Sequence, residues 1–226
     1  MTTNGDDDRP TMRDVTSTAE QLSHSAEDVL ANWPYPPEGG WTADDLDRLP
    51  LDGPHGEPDF FARVELVDGA LVFMSPQKRF HEHVLIGLRV RLDQQAPEKL
   101  GAVSQMDLKL DTNWRPCPDI VVADAAAVAD MARTFYEADE VHLVVEIVSP
   151  ESAHRDRSVK PPKYAKSGIP YYWRVENHEN KPVVYVFQLD PATSAYGLVA
   201  IHRGRLSVDV PFPIDIDLDN LSVRAG

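Results

Sequence analysis

The sequence predicts an α/β domain of the α+β kind, a mixed sheet with flanking helices, and three observations carry that expectation. Strand-like apolar runs outnumber helical patterns, especially in the second half of the chain. Two of them, IVVA after Pro118-Asp119 and VHLVVEIV over 141–148, are too continuously apolar to have a wet face and belong in a covered sheet. Consecutive strands without a helix between them argue against a regular βαβ nucleotide-binding fold, and no Gly-rich phosphate loop is present.

The elements follow in order. WTADDLDRL, 41–49, reads as a short helix with Thr42 as N-cap before an acidic first turn. Residues 62–68 and 70–74 flank Asp68-Gly69, a strong hairpin signal near the N-terminal side of the domain. Phe80, Val84, Leu85, Leu88 and Leu92 recur at helical spacing, which predicts an amphipathic helix over 78–95. AVSQMDLKL, 102–110, fits one strand, and the two apolar runs follow it. Pro161 suits the first position of a later helix, which would put Lys160 near its N-cap. Strands at 171–175 and 183–188 come next, then 198–202 and 206–210 about Gly204, so extra hairpins are expected at the C-terminal end as well.

Length and charge bound the function. The chain has 226 residues, long enough for one sizeable core, with 42% apolar and 26% charged residues. No apolar run approaches the roughly 18 residues of a membrane span, and Asp6-Asp7-Asp8 stand where a signal peptide would be apolar, so no membrane partner is expected. The single cysteine, Cys117, excludes a disulfide framework or a cysteine zinc site and points to the cytoplasm. The net charge of −15 argues at first against nucleic acid, which normally selects a basic footprint. Its distribution alters that. Residues 1–31 hold seven acids against two bases and little apolar periodicity, and with the Pro/Gly connector they predict a disordered acidic tail over 1–40 before a single domain over 41–226. In 154–166, five bases face one acid.

Two carboxylates stand out. Asp119 opens IVV, and Glu146 interrupts an apolar strand; each is costly to bury unless paired or metal-bound. On adjacent strands they would form a hard oxygen site suited to Mg²⁺. A lysine two residues past Glu146 would complete the D/E-x-K pattern of a nuclease, but Val148 stands there. Lys160, Lys163 and Lys109 are the candidate replacements. His81 and His83 point about 200° apart on a helix and cannot share one ion, so His81 is a helix-start residue facing the cleft. Ser149 lacks a nucleophile elbow and precedes Pro150, which fits a turn.

PDIVV (118–122), VVEIVSPES (144–152), Asp156-x-x-x-Lys160 and YAKSGIPYYWRVE (164–176) resemble the Uma family of restriction-endonuclease-type proteins, within the PD-(D/E)xK nuclease superfamily. WTADDLDRLP and VELVDGALVFMSP match its N-terminal layout, and the resemblance spans about residues 41–220. It implies a restriction-endonuclease-like core, Asp119 and Glu146 as metal carboxylates, Lys160 as a lysine moved from the strand onto a helix, and Glu65 as a further acidic site residue. The implied activity is Mg²⁺-dependent (or Mn²⁺-dependent) hydrolysis of DNA phosphodiesters, commonly by a homodimer. The alternative is a catalytically silent protein of the same fold that binds nucleic acid or protein.

Overall fold

In the computed structural model, the described residues are 35–50, 52–53, 61 and 63–222. The acidic stretch 1–31 and the first residue of the connector, Pro34, lie outside them. The chain divides into two compact units, residues 1–38 with 49–63, and residues 39–48 with 64–226. Most of the first unit is outside the described residues. Everything below concerns the second.

The second unit opens with a 3₁₀ turn at Leu46–Arg48 rather than the expected helix. Thr42 explains the difference, because its amide and hydroxyl both donate to the Asp45 carboxylate, at 2.8 and 2.6 Å. That closes a side-chain turn in place of a helical one. The hairpin β1 (Val64–Val67) and β2 (Ala70–Phe73) follows, turning through Asp68 and Gly69 at φ 48° and 78°. Both central residues have positive φ, as a tight hairpin turn requires.

Helix α1 (Arg79–Gln95) buries His81, Val84, Gly87, Leu88 and Leu92 along one stripe. The expected strand at 102–110 is two strands, β3 (Leu100–Ser104) and β4 (Asp107–Lys109). Gln105, at φ 54°, breaks the ladder between them. Then come β5 (Ile120–Asp124), a short α2 (Ala125–Ala129), β6 (Phe135–Glu137) and β7 (Val141–Ile147). A π-helical turn (Arg155–Val159) runs into α3 (Lys160–Lys166). The C-terminal third is β8 (Tyr171–His178), β9 (Lys181–Asp190), β10 (Ala195–Arg203), β11 (Arg205–Val208) and β12 (Ile214–Asp217).

The central sheet is mixed, six strands in the order β10-β9-β8-β7-β5-β3, with β7 and β8 parallel and the other pairs antiparallel. β11 and β12 pair with each other as a separate hairpin. Side chains alternate across β7 and β8 into two cores. Leu143, Val145, Ile147 and Trp173 face α1, whereas Val144 and Tyr172 join Tyr164 of α3. Both faces of β5 and β7 are therefore covered, which is why each carries a continuous apolar run.

Candidate active site

The register of the two central strands builds the site. β5 and β7 pair antiparallel with Ile120 opposite Val145, so one step further Asp119 stands opposite Glu146 on the face toward α3. Both are buried, at 5% and 2% exposure. Each oxygen of the Asp119 carboxylate has one partner: His81 Nε2 lies 2.9 Å from Oδ1, and the Ile147 amide donates to Oδ2 at 2.6 Å. His81 comes from the start of the buried stripe of α1, while His83 is exposed, as their spacing predicts.

Lys160 is buried between carboxylates. Its ammonium lies 2.8 Å from Glu65 Oε1, 3.1 Å from Glu146 Oε1 and 3.6 Å from Asp156 Oδ1. Glu65 is fixed in turn by the Cys117 amide, which donates to Oε1 at 3.1 Å. Tyr164 donates to Glu146 Oε1 at 2.6 Å, and Tyr172 donates to the Asp156 carbonyl at 2.6 Å. Lys160 does not start a free helix end as its neighbour Pro161 suggested: the π-helical turn precedes it, and this turn brings Asp156 to the same side. π-turns inside helices occur often at functional sites.

Charge is unbalanced here. Burial pulls Lys160 down, but Glu146, Glu65 and Asp156 outweigh it, so its pKa lies well above the usual lysine value and it stays an ammonium. Burial pushes Glu146 well up, with Asp156, Asp119 and Glu65 adding to the effect and Lys160 opposing it. Asp156 is raised for the same first reason, and its Oδ1 is buried without a hydrogen bond. Burial and Glu146 likewise keep Tyr164 a neutral phenol. One ammonium thus faces more carboxylate charge than it can offset.

The other candidates fall elsewhere. Lys109 pairs with Asp44 at 2.6 Å, and Lys163 pairs with Asp68 at 2.8 Å and stacks over Trp114, so neither approaches the carboxylates. The basic run is mostly compensated: Arg155 pairs with Glu151, Arg157 with Glu176, and Lys160 is buried. Ser149 exchanges bonds with Ser152 in a turn, at 3.0–3.1 Å. Burial, with the charges of Asp107 and Glu65, pushes the Cys117 thiol far up, which removes it as a nucleophile. Sequence reasoning gave Asp156 and Tyr164 no role, although their signal was present. Residues 156, 160 and 164 recur at i, i+4, which stacks them on one helix face.

Asp119 and Glu146 offer only carboxylate oxygens, the donor type of Mg²⁺ and Mn²⁺, so their chemistry fits such an ion. Among the described residues, no three His, Cys, Asp or Glu side chains already converge as a cage. The Lys160 ammonium holds the Glu65 and Glu146 oxygens instead. The cavity these side chains line is small, about 20 Å³, room for one oxygen-sized group.

A covered mixed sheet brings two facing carboxylates from adjacent strands beside a buried lysine. The family described as "Uma2: Putative restriction endonuclease" matches residues 44–222, and the chain belongs to that family. The fold is similar to that of "a putative nuclease belonging to DUF820" from Anabaena variabilis ATCC 29413, with a TM-score of 0.59, 16% identity, and coverage of 80% of this chain and 96% of that one. No curated protein matches the chain. Among the described residues, no helix is long and apolar enough to cross a membrane.

Proposed function

We propose that this protein is a Mg²⁺- or Mn²⁺-dependent endonuclease that hydrolyses DNA phosphodiester bonds. The observation that carries the reading is the buried pair Asp119 and Glu146, facing each other across β5 and β7, with the charged Lys160 beside Glu146. Asp119 and Glu146 would hold the ion. When bound there, the ion would supply charge against a non-bridging phosphate oxygen and lower the pKa of its water. His81 and the Ile147 amide fix the Asp119 carboxylate in one orientation. Lys160, kept protonated, serves as a cation and donor toward developing negative charge and not as a base. Tyr164 donates to Oε1 of Glu146 and the Lys160 ammonium lies 3.1 Å from the same oxygen, so Oε2 is engaged by neither. Glu65, held by the Cys117 amide, anchors the lysine.

The reading extends to a cytoplasmic homodimer. The lone cysteine supports the compartment. The edge strand β10, with Leu198, Val199 and Ile201 exposed, supports the dimer, because unpaired edges template pairing. A silent binding module is the second reading, and the grip of Lys160 on carboxylates a metal would need is what favours it.

The test is nicking of supercoiled plasmid in Mg²⁺ or Mn²⁺ by the purified protein, Asp119→Ala and Glu146→Ala. Cleavage lost in both variants supports the nuclease. Equal cleavage by all three proteins overturns the site assignment. No cleavage by the wild type, together with no metal-induced rise in Tm, selects the silent module.

A further inference from the structure

Beside the catalytic cavity lies a second hollow, a groove of about 330 Å³ lined in part by Phe80, Val148, Asn177 and Lys78. His81 and Gln77 wall both spaces, so the groove continues outward from the carboxylate site. We infer that this groove seats one unstacked nucleotide next to the scissile phosphate, so the substrate is single-stranded or locally unpaired DNA. The inference rests on the nuclease reading and adds the form of the substrate.

Size comes first. The catalytic cavity, about 20 Å³, admits one oxygen-sized group, so the nucleotide attached to a phosphate reaching it must lie outside. The adjoining groove is at the lower end of the roughly 300–1,000 Å³ range of small-ligand sites. It suits one nucleotide, whereas a duplex, wide enough to carry a major groove about 12 Å across, cannot enter it.

The lining matches a base with one flanking phosphate. Phe80 offers an aromatic face, and Val148, Pro150 and Ala153 continue the apolar wall. Asn177 spends its carbonyl oxygen on the Asn180 amide at 2.8 Å, which leaves its NH₂ to donate to a base edge. The Arg157 charge is taken by Glu176. Lys78 is exposed and has no ion pair among the described residues, so it is the cation available for the next phosphate. Val148 gains a meaning here. It stands two residues past Glu146, where the nuclease pattern expects lysine, and a charge there would enter the apolar wall. With the cation supplied by Lys160 from α3, the strand position is free to pack against a base.

The test uses the full chain and two readouts. Oligonucleotides carry 2-aminopurine beside the cut position, either single-stranded or fully paired, and both cleavage in Mn²⁺ and fluorescence on binding are followed. Wild type should cleave the single strand at least about tenfold faster, in kcat/KM, than the duplex, and its binding should change 2-aminopurine stacking fluorescence. Phe80→Leu should raise KM about fivefold or more, the size of one base–aromatic stack. Because Phe80 also packs against the core, Val148→Lys and Lys78→Glu provide independent variants and should raise KM as well. Equal cleavage of both forms, or an unchanged KM and fluorescence signal in all three variants, overturns the groove. A fluorescence change that the variants abolish, without any cleavage by the wild type, keeps the nucleotide groove and removes the nuclease reading. Cleavage with no fluorescence change removes the groove alone.

Discussion

Lys160 and Glu146 lie 3.1 Å apart, buried, although one belongs to a helix and the other to the central strand β7. Two residues past Glu146 the chain has Val148, just beyond the end of β7, and the ammonium at Glu146 comes instead from α3. The pair is one edge of a cluster in which Glu65 and Asp156 also face the ammonium.

Removing the ammonium strands these carboxylates. Lys160→Met keeps the side chain up to the ammonium and leaves Glu65, Glu146 and Asp156 uncompensated in a buried site, which should cost about 3–5 kcal/mol at pH 7. The deficit should shrink at pH 5, because burial raises the pKa of Glu146 and Asp156 and they take up protons first. Urea denaturation at the two pH values measures it, and a pH-independent loss would show that packing dominates. Cleavage by this variant should be undetectable.

Asp156 gives the opposite result. Its carboxylate is buried, its Oδ1 has no hydrogen bond, and burial has raised its pKa. A carboxyl group with a raised folded-state pKa contributes stability that is complete below its unfolded value and lost as pH rises through the folded one. Asp156→Asn lacks that loss. The variant should therefore be more stable than wild type at neutral pH, by about 1 kcal/mol, the usual size of a single stabilising change. The gap should close as pH falls. Thermal melts from pH 4 to 8 in EDTA read this directly, and a gap that widens toward low pH would contradict the charge argument.

Gly87 makes a stability prediction away from the site. Alanine in a helix normally gains about 1 kcal/mol over glycine. At this position a Cβ would lie 2.5 Å from the Leu221 carbonyl oxygen and 2.7 Å from the Leu221 Cβ. Arg91 also holds this terminal segment, donating to the Leu221 and Asn220 carbonyls at 3.1 and 2.5 Å. Gly87→Ala should therefore destabilise the protein by about 1–3 kcal/mol, the usual cost of overpacking. A variant as stable as wild type would mean that the C-terminal segment yields without cost.

The sheet was legible because its central strands have no wet face: IVVA and VHLVVEI could be nothing but covered strands. The carboxylate pair was legible for the same reason, since charges at the ends of such runs need a partner. The helix at 41–49 was misread because Thr42 and Asp45 satisfy each other locally, and propensity alone does not show that competition. The break at Gln105 rests on a positive φ at a residue type that does not announce one. The basic run 154–166 holds five bases against one acid, yet its partners Glu151 and Glu176 come from outside the run, one of them from β8. Pairings between distant segments are what a single sequence hides.

His81 supplies the final test, because it acts on the site through Asp119. Its Nε2 lies 2.9 Å from Oδ1, and the ring is buried in the α1 stripe. If its task is to orient the carboxylate, His81→Ala should lower Mn²⁺ affinity or cleavage about 10–100-fold, the usual effect of losing a partner that orients a metal ligand. His81→Gln retains a side-chain donor and should recover part of that loss. The Mn²⁺-induced rise in Tm separates the roles. A positioning histidine predicts a smaller shift in the alanine variant and an intermediate one in the glutamine variant. If both variants melt lower than wild type without metal but show its full Mn²⁺ shift, His81 serves packing alone.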